Sequence, residues 1–354
     1  MSDLIKKLEQ SIENLKEKKC RLFFFVQDTK GNAKASVSYI YDLALTLKNA
    51  GFNTVILHEK SDYFGVQDWL GSEYMEKLEH ISVEGQNLQV APEDVILVPE
   101  LFGYIMPQVA NLPCGKVVIC QSYDYIFETL QPGQSWSQFG FLKCITTSEK
   151  MKEYITRVMR NVSVDVIEPL ISNEFSPSQF PPKPVIAIHT REQRDAVNFI
   201  KLFYTKFPQY RWISFRDMRG VSQSEFANIL RDSMLSLWID KESSFGTYPI
   251  ESMKSGVPVM STIPNLVPEW MNEDNGIWVQ DIITLPDLVA DFLQNWLEDN
   301  VSDKLYEGGI KTAEKYSDVE THGKKVTKLF ENLIESRIEN FESEYNKQTQ
   351  EQNA

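Results

Sequence analysis

The sequence contains no apolar run of the ~18 residues that a membrane-crossing helix requires, and its first nineteen residues mix charges where a secretory leader would carry an apolar stretch. Both absences point to a cytoplasmic protein without a transmembrane segment, for which a peripheral membrane contact stays open. Basic residues are in deficit: 36 Lys and Arg face 50 Asp and Glu, a net charge of -14. That balance argues against a nucleic-acid partner, because displacing counterions from phosphates takes a basic patch. The four cysteines, Cys20, Cys114, Cys120 and Cys144, show no C-x-x-C spacing and read as reduced, buried thiols. The four histidines, His58, His80, His189 and His322, show no H-E-x-x-H spacing, so no metal is expected.

What the chain does have is 354 residues, 42% of them hydrophobic, which suits about two domains with sizeable cores. Arg21-Leu22-Phe23-Phe24-Phe25-Val26 is an unbroken apolar run of the kind found in parallel strands covered on both faces. Helical periodicity follows from Val37 to Ala50, Gly51 closes it, and Asn53 to Leu57 reads as the next strand. Asp94 to Val98, Lys116 to Cys120 and Cys144 to Thr147 repeat the strand signal. Proline density across 176–184 forbids regular structure and suits a stiff linker. Beyond it the alternation restarts, with strands at Val185 to His189, Arg211 to Phe215, Met234 to Ile239 and Val257 to Met260, and helices at Asp195 to Phe207 and Ser222 to Arg231.

The expected fold class is therefore α/β, two Rossmann-like doubly wound parallel-sheet domains facing each other across a cleft. The first domain is placed at 1–175, with an extra N-terminal helix at 2–19, and the second at 185–325 after the 176–184 linker. A C-terminal helix at 326–345 and a disordered tail at 346–354 complete the division. Leu4, Ile5, Leu8, Ile12 and Leu15 form one stripe on the N-terminal helix, expected to pack on the protein itself, with self-association through it left open.

The most informative stretch runs from Ser243 through Ser244, Phe245, Gly246, Thr247, Tyr248, Pro249, Ile250 and Glu251 to Val259. Phe245-Gly246 suits a tight turn, Pro249 the first turn of a helix, and Gly256 with Pro258 its end before an apolar strand. Unsatisfied N–H groups at such a helix start favour a phosphate. The string resembles the donor-binding signature of retaining nucleotide-sugar glycosyltransferases of the GT-B type (glycosyl transferases group 1, family-4-like), which usually reads E-G-F-G-x-P-x-x-E-A-M-A-x-G-x-P-V. Phe245, Gly246, Glu251, Met253, Gly256, Pro258 and Val259 fall on matching positions, and Asn275-Gly276-Ile277-Trp278-Val279 matches a later N-G-x-x-V strand. The family's first Glu falls on Ser243, with Glu242 one residue early, and a hydroxyl cannot carry negative charge.

The resemblance implies that the second domain binds a nucleotide-diphosphate sugar and the first a glycan or small acceptor. It further implies transfer with retention of configuration and no cofactor beyond the donor. Implied for the donor are Ser244, Phe245, Gly246, Thr247 and Glu251, the last on the ribose, with Arg191 and Arg194 holding the diphosphate, Ser243 at the first Glu position and Arg216 as a weaker third cation. On the acceptor side the candidates are the loop carrying Gly31 and Asn32 and the segment Gln121-Ser122-Tyr123-Asp124, similar to the Q-N-x-Y of some members. Ser148 in Thr147-Ser148-Glu149 is read as a helix cap. Two alternatives remain: a catalytically weak or inactive GT-B protein serving as a binding or scaffold subunit, and an unrelated two-domain α/β protein with a phosphate-binding turn.

Overall fold

The computed structural model describes residues 3–85, 88–298 and 303–353. Ser2 and Ala354, the outer ends of the expected N-terminal helix and C-terminal tail, lie outside the described residues. The chain divides into two compact units. The first takes the chain up to Thr146, then Tyr154–Ile167, then everything from Val319; the second takes Thr147–Glu153 and Glu168–Asp318.

In the first unit the elements are α1 (Asp3–Lys16), β1 (Arg21–Phe25), α2 (Ala35–Asn49), β2 (Asn53–His58), α3 (Ser72–Lys77), β3 (Glu79–Ser82), β4 (Val95–Pro99), α4 (Met106–Val109), β5 (Gly115–Cys120) and β6 (Lys143–Thr146). Helix α5 (Glu149–Val158), whose residues up to Glu153 the division gives to the second unit, and strand β7 (Ser163–Val166) follow. All seven strands are parallel, in the order β3-β2-β1-β4-β5-β6-β7. Strand β1 lies inside the sheet between β2 and β4, with Leu22, Phe23, Phe24 and Phe25 buried on both faces, as its unbroken apolar run predicts.

The second unit contains β8 (Val185–Thr190), α6 (Gln193–Lys206), β9 (Ser214–Asp217), α7 (Gln223–Asp232), β10 (Leu235–Ile239), α8 (Thr247–Lys254), β11 (Val259–Thr262), β12 (Ile277–Val279), α9 (Leu285–Leu297) and α10 (Asp303–Glu314). Its five-stranded sheet is parallel, in the order β12-β11-β10-β8-β9. Phe199 and Phe203 of α6 and Val289 and Leu293 of α9 pack on one face, Ile250 and Met253 of α8 on the other. The doubly wound α/β class expected for both halves is what the two sheets show.

Three sequence expectations need amendment. The proline-rich 176–184 segment has no helix or strand, but the division falls at Ile167 and Glu168. The segment lies within the second unit, to which Lys183 is tied through its backbone and its ammonium, both bonded to Asp232. The C-terminal helix is longer than 326–345. It runs as α11 from Val319 to Asn353, so the tail expected to be disordered continues it. Its Glu, Lys and Gln residues are good helix formers, and Gln348 and Thr349 bond back one turn to Glu344 and Tyr345.

Helix α11 belongs to the first unit, where Val326, Phe330, Leu333 and Ile334 enter the core beside Leu22, Phe24 and α2. Most of the apolar stripe of α1 packs on the protein itself: Ile5, Leu8 and Leu15 are buried and Ile12 is half-buried, whereas Leu4 is exposed, and Lys16–Glu342 (2.8 Å) and Lys18–Glu331 (3.2 Å) ion pairs join α1 and its end to α11. Among the described residues no helix is long and apolar enough to cross a membrane.

Candidate functional site

In open parallel sheets, ligands bind beyond the carboxyl ends of the strands where the strand order reverses. In the second unit that reversal lies between β8 and β10. Arg191 follows β8 and Asp240 follows β10, and the register that pairs Thr190 with Ile239 brings them together, Nε to Oδ1 at 3.2 Å. The same Asp240 oxygen accepts the Glu242 backbone N–H (2.9 Å), which turns the chain as it leaves the sheet. Asn265 fastens the turn from outside, its N–H to the Lys241 carbonyl (2.8 Å) and its Nδ2 to the Glu242 carboxylate (3.2 Å).

The turn then dives inward. Ser244 and Phe245 are buried, Phe245 lies edge-on to Tyr316, and its carbonyl accepts the Trp270 indole N–H at 2.7 Å. Gly246 follows at φ +75°, a left-handed conformation, and a Cβ there would lie 2.6 Å from the Trp238 indole. Only glycine satisfies both constraints. Helix α8 starts immediately after it, and Tyr248 fixes its direction. The Tyr248 ring is stacked between His189 (centroids 4.8 Å) and Phe226 (5.4 Å), and its hydroxyl accepts from Ser236 at 2.9 Å. Burial holds His189 neutral, its pKa pushed down to about 4.

Glu251 lies in the second turn of α8. It is half-buried, no described residue hydrogen-bonds its carboxylate, and desolvation alone pushes its pKa up to about 8. A carboxylate taken out of water without a partner is expensive, and groups so placed cluster at functional sites.

In the first unit the strand order reverses between β1 and β4. After β1 comes the loop with Gly31 and Asn32; after β4 comes Glu100, a residue that sequence reasoning did not single out. Glu100 is 2% exposed, and its Oε1 accepts the backbone N–H groups of Gln121 (2.9 Å) and Ser122 (2.8 Å) beyond β5. Its other oxygen is buried without a partner, and burial pushes the pKa up to about 7. Gln121 Nε2 reaches the Ser36 carbonyl at the start of α2 (2.8 Å), Ser122 bonds Asp124, and Tyr123 lies edge-on to Tyr154. Glu100 and Gln121 thus tie the segment 121–124 to the rest of the carboxyl edge.

No family model matches this sequence, and no curated protein matches it either. Solved structures do. Sucrose-phosphate synthase from Thermosynechococcus elongatus is similar over 90% of this chain and 100% of its own, at 14% identity and a TM-score of 0.67. HepE from Anabaena, solved in complex with UDP, is similar over 88% and 100%, at 12% identity and a TM-score of 0.62. A glycosyltransferase from Rickettsia africae is similar over 89% and 98%, at 12% identity and 0.56. The chain has the GT-B fold.

Against the GT-B signature the expected donor residues fare unequally. Gly246, Thr247 and Glu251 stand together at the start of α8, and Arg191 lies at the strand-order reversal with its charge partly answered by Asp240. Arg194 is exposed in the first turn of α6. Arg216 does not follow its strand; it lies within β9, opposite Ala187, with its side chain exposed. Arg219 beyond β9 was overlooked, and its guanidinium is gripped by Asp217, Nε to Oδ1 at 2.9 Å. Ser243 is half-buried, and Glu242 beside it is engaged by Asn265.

Asn275 of the N-G-x-x-V match is structural, its amide bonding the Trp270 carbonyl (2.6 Å) and Thr312 (3.0 Å). Ser148 caps α5 as expected, accepting the Met151 N–H at 3.1 Å. Among the described residues, no three His, Cys, Asp or Glu side chains group as metal ligands. The signal that could have found Glu100 and Asp240 is simple: each is an acidic residue placed directly after a fully buried strand.

Proposed function

We propose that this protein is a glycosyltransferase that moves a sugar from a nucleotide-diphosphate sugar to a hydroxyl of a glycan or small acceptor, with retention and without a metal. The observation that carries the reading is Glu251, an unpartnered, desolvated carboxylate one turn inside a helix that begins at a left-handed glycine beside the strand-order reversal. Ribose hydroxyls would supply the hydrogen bonds this carboxylate lacks, while the open N–H groups of the first turn of α8 would meet phosphate oxygens. Arg191, oriented by Asp240, and Arg194 would stabilise the charge that develops on the departing diphosphate. On the acceptor side, Asp124 is the candidate base. A cytoplasmic setting agrees with four buried cysteines that are all unpaired.

A second reading, a weak or inactive GT-B protein acting as a binding or scaffold subunit, is favoured by Ser243 in place of a carboxylate and by the engagement of Glu242 elsewhere. The two readings separate by donor turnover. Incubation with UDP-, GDP-, ADP- and dTDP-sugars, followed by NMR of the released sugar, should show hydrolysis of one donor with the retained anomer first, insensitive to EDTA. Hydrolysis should fall at least tenfold in Glu251→Ala and in the Arg191→Ala, Arg194→Ala double variant. Nucleotide binding without turnover would favour the subunit reading, and neither binding nor turnover would overturn both.

A further inference from the structure

Two large aromatic side chains stand exposed on loops at the carboxyl edge of the first unit's sheet. Phe64, on the loop after β2, is 52% exposed, and Tyr104, on the loop after β4, is 47% exposed. In the sheet β1 lies between these two strands, so the pair flanks the loop that follows β1, the loop of Asn32. The Tyr104 hydroxyl donates to Glu59 (2.9 Å), next to His58 at the end of β2, and thereby crosses from the one loop to the other.

Exposed aromatics on mobile loops are commonplace, but this loop is held throughout. Glu84 takes the Ser61 N–H (2.9 Å), the Ser61 hydroxyl (2.8 Å) and the Lys60 ammonium (3.0 Å). Tyr63 stacks on His58 (4.4 Å) and its hydroxyl meets that of Tyr41 at 2.8 Å. The Phe64 carbonyl accepts from the Gln67 side-chain amide (3.2 Å). One part of the ring rests on Gly31, which has φ +80° and where a Cβ would come within 3.0 Å of Phe64. A residue with a side chain there would be strained and would collide with the ring, so backbone and ring are matched. A ring fixed with much of its surface open gives contact area at little entropic cost.

The polar groups around the rings choose the ligand. Four carboxylates, Asp28, Glu59, Asp62 and Glu84, outnumber three lysines: Lys30 is paired with Asp28 (2.6 Å), Lys60 with Glu84 (3.0 Å), and Lys34 reaches the Gln27 amide oxygen (3.2 Å). That surplus of carboxylates repels phosphate headgroups and anionic membranes. It suits a ligand with C–H faces to lie on aromatic rings and hydroxyls to donate to carboxylates. We propose, resting on the glycosyltransferase reading, that the acceptor is an uncharged saccharide held by stacking on Phe64 and Tyr104, with hydroxyls received by Asn32 and the neighbouring carboxylates.

The test titrates the full chain with maltotriose, cellotriose, chitotriose and mannotriose by saturation-transfer NMR, alongside sedimentation with phosphatidylcholine/phosphatidylglycerol vesicles. Saturable binding of at least one trisaccharide is expected, weakened tenfold or more in Phe64→Ala, retained in Phe64→Trp, and weakened less in Tyr104→Phe, which keeps the ring. Affinity for whichever of UDP, GDP, ADP and dTDP the unaltered chain binds, a site the proposed function puts in the second unit, should stay within twofold in all three variants. Trisaccharide binding that Phe64→Ala leaves unchanged, no trisaccharide binding at all, or vesicle binding that depends on Phe64 in its place would each overturn the proposal. The glycosyltransferase reading fails separately, by absence of nucleotide binding in the unaltered chain.

Discussion

Three carboxyl groups carry the account, and they differ in what surrounds them. Glu242 is engaged by Asn265, Glu251 has no partner, and Glu100 has one oxygen filled by two backbone amides and the other sealed without a partner. Glu100 therefore makes the cleanest pH test, being almost wholly buried. Its pKa is pushed from the ordinary 4.5 up to about 7, so the folded protein keeps a proton that the unfolded chain has already released. The resulting stabilisation is complete below pH 4.5 and is lost as pH rises through 7. Glu100→Gln, which keeps an acceptor for the Gln121 and Ser122 amides, should remove that loss. Urea denaturation of both proteins from pH 5 to 8 should show the difference shifting in the variant's favour by up to about 3 kcal/mol. Parallel stability curves would contradict this placement of the charge.

At the scale of elements, α8 shows how much of a site one turn can fix. Ser236, Ser252, His189 and Phe226 all act on Tyr248, and Trp238 leaves room at position 246 only for glycine. Gly246→Ala should cost ~1–3 kcal/mol of stability through strain and collision, measured by urea denaturation. It should also weaken nucleotide binding, because the first turn of the helix would shift. A fully stable variant would mean that the turn relaxes freely. This element was legible in the sequence because Gly246, Pro249, Gly256 and Pro258 punctuate it locally. The central strands β1, β2, β4, β5, β8 and β10 were legible too, being short apolar runs. The edge strands β3 and β7 were not. Glu79-His80-Ile81-Ser82 and Ser163-Val164-Asp165-Val166 are too polar to signal a strand, and sheet pairing makes them strands. The Arg191–Asp240 pair was equally hidden, since its members stand 49 positions apart in sequence and only the pairing of β8 with β10 joins them.

At the scale of the molecule, the chain makes two doubly wound units and then returns to the first, since α11 completes the core beside β1 and α2. Proline density at 176–184 drew attention to the wrong place for that division, because a stretch without regular structure can still be tied to one unit, as Lys183 is to Asp232. The central claim, that the second unit binds a nucleotide diphosphate through Glu251, is tested most directly by calorimetric titration with UDP, GDP, ADP and dTDP at several pH values. The account predicts micromolar binding of one nucleotide, tightening as pH rises towards about 8 while Glu251 gives up its proton to accept hydroxyl hydrogen bonds. Glu251→Gln should bind about ten- to a hundredfold more weakly, the worth of a hydrogen bond to a charged group, and without that pH dependence. Binding of none of the four nucleotides, or a Glu251→Gln variant that binds like the unaltered chain at every pH, would contradict the claim.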